Sequence, residues 1–241
     1  MIINASNRTD IPAFFSEWFF NRLNTGYVDV LNPYGKDRSF HRYQLDPSVV
    51  DAIVFTTKNP KPMLDDNRFI PMLMKYPTLF YVTVTPYNVD IEPNVPSLSE
   101  SLETFVRLSD TVGNNRVILR YDPILFGNGW NQKWHVKAFT DIVTYLTGYT
   151  HRVVISFVDM YAKTRTNMPF AIRPDQKMQE LIVQEFADIA KTRNMELYVC
   201  HDNNPNFAKY ANMTGCASID VINEATGLRL KNKSKANARG D

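Results

Sequence analysis

The chain has 241 residues, of which 44% are hydrophobic, 12% aromatic and 22% charged, with 9 Gly and 14 Pro. So much buriable aromatic surface excludes a largely disordered chain, no apolar run approaches the roughly 18 residues of a membrane span, and residues 1–4 lack the regions of a signal peptide. The net charge of +2 divides unevenly, because residues 229–241 carry five bases and one acid while the body holds 22 bases against 24 acids.

In chain order, residues 1–5 read as a strand. The stripe Phe15, Trp18, Phe19 and Leu23 then reads as a helix that stops at Gly26. A second strand is expected at 27–31, and the polar stretch 36–44 reads as a hairpin excursion. Strands at 52–57 and 79–85 precede Ser97 and Glu100, a capping box for a helix in which Leu98, Leu102, Phe105 and Val112 share a face up to Gly113. A strand at 117–121 leads to a helix marked by Ala138, Ile142 and Tyr145 and ended by Gly148. Residues 153–158 form the next strand. The longest helix spans about 175–193 with Met178, Leu181, Ile182, Phe186 and Ile189, and a last strand covers 196–200.

Strand–helix alternation from end to end implies parallel strands with right-handed crossovers. The turn after the first strand, Ser6-Asn7-Arg8-Thr9-Asp10, has no glycine-rich dinucleotide signature, which disfavours a doubly wound open sheet. The expected architecture is an α/β (β/α) TIM-like barrel, partial or distorted, with outer helices. It covers residues 1–227 as one domain and is followed by a basic, disordered tail over 228–241. Two cysteines are too few for a disulfide scaffold, so the expected setting is the cytoplasm.

Nearly every expected strand exits into polar residues, and in a parallel barrel all these exits share one rim. Arg120 and Asp122, two apart, point to the same side of their strand. The arginine suits a phosphate or carboxylate, and the aspartate suits proton transfer, against the plainer reading of an ion pair closing the sheet end. Arg8 is a ligand candidate by the same logic. Asp10, just before Ile11-Pro12, fits a helix N-cap better than a ligand contact. Lys58 continues the face of Val54 and Thr56 before Asn59-Pro60 turns the chain, and could pair with an anion or serve as a base or Schiff-base nucleophile. Thr85 could line a polar pocket with Thr83, Ser156 lies at the next exit, and Asp159 is either a catalytic acid or a helix cap. The catalytic candidates are thus Asp122, Lys58 and Asp159, and the binding candidates Arg8, Asp10, Asn59, Thr85, Arg120 and Ser156.

No metal site is expected. His41, His135, His151 and His201 are scattered, Cys200 and His201 face opposite ways along a strand, and Cys200 lies sixteen residues from Cys216 with no second ligand pair. Cys200 fits a buried structural thiol.

Several of these segments together resemble a family. They are residues 3–12 (INASNRTDIP), 54–60 (VFTTKNP), 90–96 (DIEPNVP), 120–124 (RYDPI) and 155–159 (ISFVD), and Cys216 with Ile219-Asp220. The chain resembles an uncharacterised bacterial and phage domain-of-unknown-function family, described as radical-SAM-like and related to spore photoproduct lyase. The family adds a C-terminal C-x-C followed by C-x3-C-x2-C, the second resembling the three-thiolate set that holds a [4Fe–4S] cluster with S-adenosylmethionine on its open iron. This sequence has two cysteines, neither in that pattern, and ends at Arg239-Gly240-Asp241, about where that group would begin. The cofactors [4Fe–4S] and S-adenosylmethionine are therefore implied by resemblance alone. Three readings stand: a shortened form of a cluster-bearing enzyme with Arg8, Lys58, Arg120, Asp122 and Asp159 lining the pocket; a cluster-free barrel enzyme for an anionic small molecule or nucleotide; or a binding or regulatory module. The relation to spore photoproduct lyase adds nucleic acid as a partner, with the tail supplying salt-sensitive affinity. No membrane partner is expected, and the sequence does not speak to oligomeric state.

Overall fold

The computed structural model describes residues 1–32, 39–200, 202, 204–213 and 218–231. Strand β1 (Ile2–Asn4) leads to helices α1 (Ile11–Phe14) and α2 (Ser16–Thr25), then to β2 (Tyr27–Leu31), β3 (Phe40–Gln44) and β4 (Ala52–Thr57). Helices α3 (Lys61–Leu64) and α4 (Phe69–Lys75), neither expected from the sequence, precede β5 (Thr78–Thr83), α5 (Leu98–Val112) and β6 (Val117–Ile124). The chain continues through α6 (Gln132–Tyr145), β7 (Arg152–Phe157), α7 (Ala162–Asn167), α8 (Gln176–Lys191), β8 (Glu196–Val199) and α9 (Ile219–Thr226).

Six strands form one parallel sheet in the order β1-β4-β5-β6-β7-β8, so every neighbour is the next sheet strand along the chain. Among the described residues no pairing joins β1 to β8, so the sheet is open and a closed TIM barrel is not formed. The expected second strand is displaced from the sheet. β2 pairs antiparallel with β3, Tyr27 opposite Gln44 through Leu31 opposite Phe40, as the hairpin excursion required. Its tip, residues 33–38, lies outside the described residues.

Alternation along the strands separates two cores. Ile53, Phe55, Phe80, Val82, Val117, Leu119, Tyr121, Val153 and Ile155 face the helices. There Phe139 of α6 and Phe186 of α8 stack at 3.9 Å between ring centroids. The opposite strand residues Ala52, Val54, Leu79, Tyr81, Ile118, Val154 and Tyr198 pack under Val221, Ile222 and Ala225 of α9. Each fully buried aliphatic or aromatic side chain contributes roughly 1.5–3 kcal/mol. Sequence periodicity misassigned five stripe positions: Phe15, Trp18, Leu98, Tyr145 and Leu181 are 45%, 45%, 38%, 51% and 41% exposed.

Helix ends follow the sequence closely. The Ser97–Glu100 capping box forms, Asp175 caps α8, and Gly26 takes the left-handed conformation that ends α2. The packed chain also runs past Gly227. Leu228 and Leu230 join the core under α9, and Leu230 exchanges backbone hydrogen bonds with the Asn223 side chain at 2.8 and 3.0 Å. Leu228 and Leu230, assigned to the tail in the sequence reading, are thus packed; residues 232–241 lie outside the described set. Among the described residues no helix is long and apolar enough to cross a membrane.

Candidate functional site

Parallel strands bring all their C-terminal ends to one edge of the sheet. On the face that α9 covers lower down, the alternation continues past the apolar residues into polar ones: Thr56 and Lys58, Thr83 and Thr85, Arg120 and Asp122, and Ser156. The edge turns polar where α9 no longer covers it.

Among the described residues, three hydrogen-bonded groups occupy this edge. At the exits of β4 and β5, Lys58 Nζ donates to Glu92 Oε1 at 2.6 Å and to Thr85 Oγ1 at 3.2 Å, and the threonine hydroxyl donates to Glu92 Oε2 at 2.6 Å. Across β6 and β7, Arg120 Nη2 and Ser156 Oγ donate to the two oxygens of Asp122, with Arg120 and Asp122 side chains each 18% exposed. At the exits of β7 and β8, Arg173 joins Asp159 Oδ1 at 2.8 Å to Asp202 Oδ2 at 2.9 Å and also donates to the Val158 carbonyl. Each of these three cations faces at least one carboxylate, so the edge is mixed in charge and not a simple anion cradle.

The remaining candidates take structural positions. Asp10 Oδ1 accepts from Ala13 N at 3.0 Å as the N-cap of α1, while its Oδ2 accepts from Lys58 N at 2.8 Å, pinning the lysine's backbone. Asn59 Oδ1 accepts from Lys61 N at 3.2 Å in the first turn of α3. Arg8 is exposed and donates to the Leu31 carbonyl at 2.8 Å. No hydrogen bond or ion pair joins it to Lys58, Arg120 or Asp122, so it braces the hairpin instead of entering the cluster. Asp159 caps no helix, since Tyr161 stands at the N-cap of α7; it serves Arg173. Sequence reasoning missed Glu92 and Arg173 because both reach the edge from loops, where no periodicity signals a destination.

Residues 121–125, at and just past the end of β6, are clamped from behind. Tyr87 OH donates to the Pro123 carbonyl at 2.7 Å and accepts from Leu125 N at 3.2 Å. Burial raises that hydroxyl well above the ordinary tyrosine range. His135 of α6, fully buried, bridges the Tyr121 hydroxyl at 2.9 Å and the Leu125 carbonyl at 2.8 Å. The carbonyl requires N–H on Nε2, which leaves Nδ1 to accept from the tyrosine. The β6–β7 register shifts between Tyr121 and Ile124, where Pro123 has no N–H for the ladder.

Desolvation pushes the His135 pKa down to about 4 from 6.5. Between those two values the unfolded chain binds the extra proton, so stability rises with pH across that window and is lost on acidification. The expected loss is about 2 kcal/mol between pH 7.5 and pH 5 in urea titrations. His135→Gln should flatten this slope; an equally steep slope in the variant would assign the dependence to another group.

A cap lies beside the clamp. Residue 126 bridges residue 172 in antiparallel fashion, and Leu125, Val158 and Ala171 are buried with Trp130, Met168 and Phe170 around them. Gly127 has φ +124°, and a Cβ there would stand 2.2 Å from the Phe170 carbonyl oxygen. Gly127→Ala is expected to cost about 2–3 kcal/mol by thermal or urea unfolding, from a strained backbone plus a clash with main chain. A cost below about 0.5 kcal/mol would show that the cap relaxes freely.

The donor set does not fit an iron–sulfur cluster. A cluster of the type implied needs three thiolates, the sequence has two cysteines, and Cys200 is buried at the end of β8. Cys216 and His201 lie outside the described residues. No group of three or more His, Cys, Asp or Glu that could hold a metal ion occurs among the described residues. A family model described as "Domain of unknown function (DUF1848)" matches residues 2–240. No curated protein and no solved structure matches the chain.

Proposed function

We propose, from the premise that the chain belongs to the DUF1848 family of domains of unknown function, that it is a cytoplasmic, radical-SAM-like protein that binds S-adenosylmethionine, or a similar zwitterionic nucleoside, over the C-terminal edge of its sheet. In this reading the sheet curls into a partial barrel with α9 inside, as right-handed crossovers between strands in chain order favour. The observation that carries it is the interleaving of bases, carboxylates and hydroxyls in Lys58, Thr85, Arg120, Asp122 and Ser156 across adjacent strand ends.

A ligand with a carboxylate, an ammonium and ribose hydroxyls needs donors and acceptors side by side. A purely anionic ligand would meet Glu92, Asp122, Asp159 and Asp202 as well as the cations. The mixed edge therefore supports a zwitterion over the plain anion of the sequence reading. Lys58 and Arg120 would hold the carboxylate side, Asp122 and Ser156 would accept from hydroxyl or ammonium groups, and Asp122 is the best-placed proton acceptor. S-adenosylmethionine, when bound, supplies an activated carbon on its sulfonium. With too few thiolates for a cluster, no cluster-dependent step is assigned to these residues.

Calorimetric titration of the full chain with S-adenosylmethionine tests the proposal. Saturable one-to-one binding is expected, weakened about tenfold or more in Arg120→Ala. No binding, or binding indifferent to that substitution, would overturn it.

A further inference from the structure

The three edge cations found among the described residues are not neutralised in the same way. Asp122 lies on the same strand as Arg120, two residues on. Asp159 and Asp202, the partners of Arg173, sit just beyond the ends of β7 and β8. Glu92 is different, because it arrives from the irregular stretch 86–97 between β5 and α5. Backbone bonds within that stretch are local turns, Ile91 N and Glu92 N to the Asn88 carbonyl and Val95 N to the Glu92 carbonyl. Among the described residues no backbone–backbone hydrogen bond joins 88–96 to another element. Among the described residues, polar contacts tie the stretch to other elements at Tyr87 and Pro96 near its two ends and, between them, through the Glu92 carboxylate.

Its partners are fixed. Asp10, the cap of α1, holds the Lys58 backbone, and Thr85 lies two residues past the end of β5 with 7% exposure. Both carboxylate oxygens are engaged, one by the ammonium and one by the hydroxyl, each at 2.6 Å. A cation and a hydroxyl on anchored backbone thus face an anion carried on a loosely tied strap. A carboxylate or phosphate oxygen pair brought by a ligand could take over both bonds one for one, so Lys58 and Thr85 keep their partners while water solvates the released Glu92 carboxylate.

We propose that Lys58 and Thr85 form a subsite for an anionic group of the ligand, and that Glu92 fills it as an internal competitor on a releasable strap. This rests on the binding face proposed above and adds to it which part of the ligand is read and what must move. An internal competitor lowers apparent affinity by the fraction of time it occupies the subsite, so removing its charge tightens binding.

The test is calorimetry on the full chain, wild type, Glu92→Gln, Glu92→Ala and Lys58→Met, with three probes: S-adenosylmethionine, its decarboxylated form and inorganic phosphate. Thermal melts confirm that each variant folds. Both Glu92 variants should bind S-adenosylmethionine about 5–10-fold more tightly than wild type, and Lys58→Met about tenfold more weakly. The decarboxylated form should be indifferent to all three substitutions. If S-adenosylmethionine binds no variant yet phosphate binds the Glu92 variants more tightly than wild type, the ligand identity fails and the strap stands. Equal affinity of wild type and both Glu92 variants for S-adenosylmethionine and phosphate overturns the strap, even where Arg120→Ala still weakens S-adenosylmethionine binding and the binding face survives.

Discussion

Phe186→Ala is expected to lower the unfolding free energy by about 3–5 kcal/mol. The ring is fully buried, stacks on Phe139 at 3.9 Å and meets Tyr121 edge-on at 5.6 Å, so it joins α8, α6 and β6. Its removal loses the transfer energy of a phenyl group and opens a cavity that two rigid rings and a sheet cannot close. Leu181→Ala on the same helix serves as the control, because that side chain is 41% exposed and should cost under about 1 kcal/mol. Urea unfolding of both variants measures the contrast. Similar costs would mean that α8 is not docked as described.

Asp122→Ala carries the second large effect, on stability and on binding together. The carboxylate accepts from Arg120 and Ser156 at a site where both charged side chains are only 18% exposed. Taking one partner from such a pair costs about 2–4 kcal/mol, somewhat below the figure for a wholly buried pair because water still reaches this one. Arg120→Ala in the same background should recover part of that loss, since the retained charge no longer lacks its carboxylate. The double-mutant cycle is expected to show coupling of at least about 1 kcal/mol. Additive effects would reduce the pair to two independent surface groups. Under the proposed function, Asp122→Ala also weakens S-adenosylmethionine binding about tenfold or more.

Much of the fold is legible in the sequence because local rules decide it. The capping box at Ser97, the caps at Asp10 and Asp175 and the stop at Gly26 all form where side-chain chemistry and backbone freedom place them. Strand starts agree within a residue or so, since β-branched runs are long enough to leave no competing period. What periodicity cannot decide is which strand a strand pairs with. Residues 27–31 look like any other β run, yet a partner nine residues on offers a short loop closure, and the hairpin wins over the sheet. Nor does it reveal α9, whose Ser218 cap, Val221-Ile222-Ala225 stripe and Gly227 stop were all readable but whose docking on the far face follows from the open sheet.

The candidate site divides along the same line. Lys58, Thr85, Arg120, Asp122 and Ser156 follow from alternation plus the shared polarity of parallel strands, and the structure brings them to one edge in two hydrogen-bonded groups. Arg8 and Asn59 satisfy the same rule yet spend their side chains on a hairpin carbonyl and a helix turn. Glu92, Tyr87, His135 and Arg173 act through contacts 10–36 residues distant in sequence, a separation over which local patterns carry no information.

Hydrogen exchange of the full chain with and without saturating S-adenosylmethionine tests most directly whether the C-terminal edge is the binding face. Amides in residues 57–60, 83–85, 120–125 and 156–159 should gain protection while the opposite ends of the same strands do not change. Protection confined to the α9 end of the sheet, or none at a concentration that saturates binding, would contradict the account.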